Sequence, residues 1–158
     1  MANEDMKDFN AMLNNNKDMP KMQIVTDLEV IRKYGGDKMY FAPPIVYDEI
    51  MRTVPYGKII TTDKIREYIA RKNNADFTEP TTAGIFIIIA AWASSQRETN
   101  KIPYWRTLKT AGELNPKYPG GVECQKEKLE AEGHVIIQKG KKNVRYFVKD
   151  YEKVILSL

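Results

Sequence analysis

The stretch that most constrains the fold is "AGIFIIIAAWA", Ala83–Ala93, an unbroken apolar run with threonines before it and serines behind. It is well short of the roughly 18 residues that cross a bilayer. It is also apolar nearly all round, so it reads as a buried helix whose N-terminal turn alone is exposed. Pro80, Thr81 and Thr82 open that helix, expected over residues 81–97. A chain of 158 residues fits one ordinary domain. With 42% hydrophobic and 29% charged residues, it has both a core and a solvated exterior. "MANEDMKDFNAML" at the start lacks the basic segment and apolar stretch of a secretory signal. Cys124, the single cysteine, allows neither an internal disulfide nor a cysteine-built metal site. A cytoplasmic, monomeric protein with no membrane segment, cofactor or metal is the expectation.

Turn and capping residues divide the chain. Residues 1–22, rich in Asn, Asp, Lys and Met, read as a flexible tail. Residues 23–44 read as a helical extension, with Thr26 and Glu29 as a capping box and Gly35-Gly36 as the stop. A helix is expected over 45–53, then a turn at Pro55–Gly57 and a short strand in "KIITT". Thr62 is placed to cap a helix, "DKIREYIARKN", with Ile65, Tyr68 and Ile69 on one face. "VECQKEKLEAEG" reads as a charged helix stopped by Gly133. In the C-terminal part, residues 135–158, "HVIIQKG" and "NVRYFV" form a hairpin with Lys139, Lys141, Lys142 and Arg145 about its tip. Asp150 is placed to cap a short last helix. Helix, turn and helix beside a strand make an α+β, winged helix-turn-helix arrangement.

Charge is uneven. Residues 1–50 carry 6 Lys/Arg against 9 Asp/Glu, and residues 51–158 carry 19 against 12. A basic excess beside the motif-bearing segments suits an anionic partner, nucleic acid above all, although an ordinary solvated face looks the same.

Three stretches, in order, resemble one family. "VPYGKIITTDKI" is similar to the turn and strand that lead into the helix-turn-helix of O6-alkylguanine-DNA alkyltransferases. "IPYWR" resembles their Pro-Cys-His-Arg active-site segment, and "GELNPKYPGGVECQKEKLEAEGH" resembles their glycine-rich loop and Glu-Gly ending. The resemblance covers about residues 46–134 and implies a DNA-binding domain over 45–134. Tyr104 stands where the family has its nucleophilic cysteine, and Trp105 where it has the activating histidine. Glu132 matches the glutamate that orients that histidine and is expected to have lost its partner. Alkyl transfer needs a soft thiolate made by a neighbouring base; a phenol with a pKa of about 10 is a poor substitute.

The chain therefore resembles the alkyltransferase-like members, which bind alkylated guanine in DNA without transferring the group and pass the lesion to other repair proteins. On that reading Tyr104, Trp105, Arg106, Gly112, Tyr118, Gly120 and Gly121 form the base pocket. Thr62, Lys64, Arg66, Arg71, Lys72, Thr81, Thr82, Ala83 and Gly84 contact double-stranded DNA. Two departures weigh against nucleotide flipping, because Thr81 replaces the family's groove-filling arginine and Thr62 its phosphate-turning tyrosine. The segment between Gly84 and Pro103 is also longer than the family's.

Taken alone, Tyr104 and Trp105 read first as core aromatics, and Arg106 as a residue that fixes the loop. Cys124 near a helix N-terminus is an alternative acceptor for an active methyltransferase. His134, the only histidine, has no partner recognisable in the sequence. DNA or protein binding without lesion preference is the remaining alternative.

Overall fold

A computed structural model describes residues 7–158 as a mixed α+β domain. The first element is a surprise. Residues 1–22 were expected to be a flexible tail, yet Phe9–Leu13 is a helix, α1, packed on the long apolar helix; residues 1–6 lie outside the described residues. Phe9 and Leu13 are buried, and the Phe9 ring stacks on Trp92 with centroids 5.6 Å apart. Asn10 Nδ2 also donates to the Ala93 carbonyl at 3.0 Å. Asparagine-rich composition hid two apolar residues spaced one helical turn apart.

Strand β1 (Lys21–Ile24) runs antiparallel to β2 (Lys38–Phe41), and between them lies helix α2 (Leu28–Tyr34). Asp27, and not the expected Thr26, caps α2: its Oδ1 accepts from Glu29 N at 2.9 Å. The helix stops at Gly35, φ +81°, a left-handed conformation that glycine adopts without strain. Helix α3 (Pro44–Met51) then leads through the Pro55–Gly57 turn to β3 (Ile60–Thr61).

Helix α4 (Thr62–Lys72) begins one residue earlier than the sequence suggests. Thr61 is its N-cap, makes no side-chain cap bond, and leaves Thr62 inside the first turn. Strand β4 (Phe77–Thr78) pairs parallel with β2 and feeds α5 (Pro80–Gln96). The Glu79 carboxylate caps α5, accepting from Thr81 N at 2.7 Å and Thr82 N at 3.0 Å. Ala83, Phe86, Ile87, Ile89, Ala90, Ala91 and Ala93 of α5 are all buried, against α1 and α3 on either side. Burial of this helix is the main apolar gain of the fold.

Beyond α5, a single 3-10 turn at Tyr104–Arg106 precedes β5 (Thr107–Leu108), which pairs parallel with β3. Helix α6 (Gly121–Ala131) ends before Gly133, φ +93°. Strands β6 (Ile136–Lys139) and β7 (Arg145–Val148) form the hairpin. Ile59, Leu108, Leu114, Leu129 and Val148 make a second, smaller core beneath it. The expected last helix is only a 3-10 turn, Tyr151–Lys153, with Asp150 at φ +53° and no side-chain cap. The chain then extends, because Ile59 offers a free strand edge: Ile59 N donates to Val154 O at 3.0 Å and Leu156 N donates to Ile59 O at 2.7 Å. Among the described residues no helix is long and apolar enough to cross a membrane.

Candidate functional site

The turn that carries Tyr104 and Trp105 is pinned from both ends. Ser94 Oγ, on α5, accepts from Ile102 N at 2.8 Å, and Gln125, fully buried on α6, donates from Nε2 to Trp105 O at 3.1 Å. The Tyr104 ring meets Trp105 and Tyr118 edge-on, at centroid distances of 5.5 and 5.4 Å. Its hydroxyl donates to Pro119 O at 3.1 Å and lies 4.0 Å from Cys124 Sγ. Burial, and secondarily the neighbouring thiol, push the Tyr104 pKa well above the ordinary phenol value. The phenol acts here as a hydrogen-bond donor.

Glu132, the C-cap of α6, has not lost its partner. Its carboxylate accepts from Trp105 Nε1 at 2.7 Å, from Arg106 Nε at 2.9 Å and from Gly57 N at 2.8 Å. Burial works to raise the Glu132 pKa, but the bonds from Gly57, Trp105 and Arg106 and the guanidinium charge outweigh it and leave it below the usual carboxylate value. Arg106 Nη1 also donates to Val54 O at 2.8 Å. Loop fixing and site lining therefore coexist in Arg106. Lys128 Nζ sits 4.8 Å from the Trp105 ring centroid.

Beside this turn opens a cavity of about 810 Å³, lined among others by Tyr104, Trp105, Cys124, Arg52, Lys101, Arg106 and Lys128. Four of its lining residues are cationic, but Arg106 is paired with Glu132 at 2.9 Å and Arg52 with Asp48 at 2.8 Å, which leaves Lys101 and Lys128 without a carboxylate partner among the described residues. Such a space favours an anionic or electron-rich guest that also presents a flat apolar face. No histidine lines it. His134 lies elsewhere, with Nε2 buried and unpartnered among the described residues; burial first, then the Arg106 charge, lowers its pKa, against the pull of Glu132.

Of the expected pocket residues, Tyr104, Trp105, Arg106 and Gly120 do line this cavity. Gly112, Tyr118 and Gly121 do not. Gly112 faces the C-terminal turn, where a Cβ would come within 2.8 Å of the Tyr151 ring. Tyr118 is buried behind Tyr104, its hydroxyl bonded to Thr107 O at 2.8 Å. Gly121 starts α6 without reaching the cavity wall.

The expected DNA contacts separate into two groups. Thr62, Thr81 and Gly84 line a second cleft, of about 780 Å³, with Lys109, Lys117 and Arg145. Ala83 is buried and cannot approach a groove, and Thr82 is partly buried beside its cap. Lys64, Arg66, Arg71 and Lys72 lie outside that cleft: Lys64 pairs with Glu67 at 3.2 Å, and Arg71 Nη2 donates to Leu158 O at 3.0 Å. Arg66 borders a groove with Lys33 and Asp76, and Lys72 sits 5.3 Å from the Tyr68 ring centroid. The loop 109–120 is shared, one part walling the second cleft and Pro119-Gly120 walling the first.

Arg52, Lys101, Lys128, Lys109 and Lys117 were missed from sequence. Lys128 was within reach of inference, being one helical turn before Glu132 on the same face. Arg52 and Lys101 come from distant segments joined through Asn100, whose Oδ1 accepts from Arg52 Nη1 at 2.6 Å, and no local signal announces that meeting.

No protein-family model and no curated protein matches the chain. Two solved structures are similar to it. S. pombe Atl1, in complex with damaged DNA containing O6-carboxymethylguanine, aligns at a TM-score of 0.49, and S. pombe ATL in complex with DNA at 0.51. Each is 21% identical to the chain, and each alignment covers 73% of this chain and 94% of the other. The second is the likeness that carries weight, and at that identity it speaks for architecture. In fold, then, this chain is similar to the S. pombe alkyltransferase-like protein.

Proposed function

We propose that this chain is an alkyltransferase-like DNA-binding protein, one that holds alkylated guanine in duplex DNA without accepting the alkyl group and so marks the lesion for other repair proteins. The observation that carries the reading is the cavity itself: an aromatic wall flanked by Lys101 and Lys128, with a buried Tyr104 where the resemblance puts the acceptor cysteine. An extruded base has a π face to stack on Trp105 and polar edges for the flanking cations. Helices α4 and α5 act as a winged helix-turn-helix, with α5 docked in the minor groove and the β6–β7 hairpin as the wing. DNA contacts come mainly from Lys109, Lys117 and Arg145 around the second cleft.

The test is the affinity for two duplexes that differ by one O6-methylguanine. A preference of about tenfold, or 1.4 kcal/mol, supports lesion binding. Equal and salt-sensitive binding supports a domain that grips backbone alone.

A second reading is favoured by the position of Cys124, whose thiol lines the same cavity. Transfer to its sulfur would add one alkyl group to the intact protein mass after exposure to alkylated DNA. With no histidine in the cavity wall to take the thiol proton, we expect the mass to stay unchanged.

A further inference from the structure

Trp92 joins the N-terminal helix to the loop that rims the second cleft. It lies one helical turn beyond Ile88, a cleft-lining residue of α5, and is half-buried against the main core. Its ring is stacked on Phe9 of α1 with an interplanar angle of 27°. Its indole N–H donates to the Lys117 carbonyl at 2.8 Å.

Both ends of this bridge are anchored. Helix α1 is only five residues, too short to persist by itself. The end of α5 holds it: Gln96 Oε1 accepts from Phe9 N at 3.0 Å, and Gln96 Nε2 donates to Lys7 O at 2.8 Å. On the loop side, Lys117 N donates to Asn115 Oδ1 at 3.0 Å, and Asn115 N donates to Oε1 of the buried Gln125 at 2.8 Å. The Lys117 main chain is thus held at its N–H and at its carbonyl, while its side chain is exposed on the cleft rim. A phosphate contact made from an ordered backbone avoids the entropy cost of ordering that loop on binding. Packing on Phe9 needs only a flat apolar ring. The N–H is the part of the indole that this packing does not use, and it goes to Lys117.

We propose that Trp92 is a positioning residue for DNA binding: braced by Phe9, it holds the 115–118 turn so that Lys117 meets a phosphate of the duplex. The inference rests on the DNA-binding reading above and deepens it. It makes the grip on the backbone depend on the N-terminal helix.

The experiment measures the salt dependence of duplex affinity for the full chain, for Trp92→Phe, Phe9→Leu and Lys117→Ala, and for Trp92→Phe combined with Lys117→Ala. Urea unfolding of each is measured alongside. Trp92→Phe keeps a ring against Phe9 and removes the donor. It is expected to unfold at nearly the wild-type urea concentration and to bind severalfold more weakly. The slope of log affinity against log salt should fall by about 1, the contribution of one phosphate contact. Phe9→Leu, which loses the flat face, should lower the slope in the same direction. In the Lys117→Ala background Trp92→Phe should change nothing further, because it acts through that side chain. Losses that add in the double variant, or an unchanged slope in Trp92→Phe or Phe9→Leu, overturn the brace and leave DNA binding standing. Marked destabilisation of Trp92→Phe makes the bond a structural one and overturns it too. If the wild type binds no duplex, the DNA-binding reading falls, and the brace with it.

Discussion

Trp105 donates its indole N–H to Glu132 across 2.7 Å, which ties the aromatic pair of the 103–106 turn to the end of α6. The resemblance puts a histidine at that position, so the glutamate was expected to stand idle. An indole N–H makes the same kind of bond as an imidazole N–H, but it is a donor only and has no lone pair to accept a proton. Trp105 is therefore held by Glu132 but cannot act as a base.

Glu132 should therefore matter for stability. Its side chain is 4% exposed and bonds three donors, two of them from Trp105 and Arg106. Glu132→Ala leaves the Arg106 guanidinium partly buried and unpaired, with an expected loss of about 3 kcal/mol. Urea unfolding of the variant measures it; a loss below about 1 kcal/mol would mean that the network is only ornamental.

Acid should act through the same group. The Glu132 and Glu113 carboxyls are both held below their ordinary value of 4.5. The unfolded chain thus binds more protons in the acid range, so these groups contribute stability that is present above pH 4.5 and lost as pH falls through their folded pKa values. Melting temperatures across that range should fall more gently for Glu132→Gln than for the wild type.

Tyr104 offers a spectroscopic check. With its pKa raised by burial and then by Cys124, its phenolate band should be missing at about pH 10. The difference between wild-type and Tyr104→Phe spectra during alkaline titration isolates it. The substitution removes the bond to Pro119 O and should cost about 1 kcal/mol.

The two groups of cations should separate in salt titrations of DNA binding. Lys109→Ala and Lys117→Ala, at the second cleft, should each lower the slope of log affinity against log salt by about 1. Lys64→Ala, which lies outside that cleft, should leave the slope nearly unchanged. The reverse order would move the DNA to the face of α4.

Helix α1 should prove integral to the fold. Leu13 is 1% exposed and belongs to the main core, so Leu13→Ala should cost about 3 kcal/mol by thermal or chemical unfolding. A tail that could be lost without effect would show no change.

The sequence was most informative where one local rule sufficed. The apolar run of α5, the Gly133 stop of α6 and the pairing of β6 with β7 across a short basic turn all follow from local composition and backbone preference within a few residues. It failed where two rules competed. Asp27 outdid Thr26 as a cap, and Val154–Leu156 left the helical pattern because Ile59 had unpaired backbone groups to satisfy. At residues 9–13 the spacing of Phe9 and Leu13, which buries both, outweighs the polar composition around them.

The candidate site divides in the same way. By itself the sequence determined that Tyr104 and Trp105 stand in a turn before a glycine-rich loop and that a long apolar helix precedes them, since these are matters of neighbours along the chain. Only the tertiary structure decided that Glu132 would hold Trp105, that Arg52, Lys101 and Lys128 would share one cavity with Cys124, and that Gly112 and Tyr118 would turn away from it. Those contacts join residues far apart in sequence, and the direction a side chain takes across such a gap is set by packing of the whole core, which no local pattern encodes.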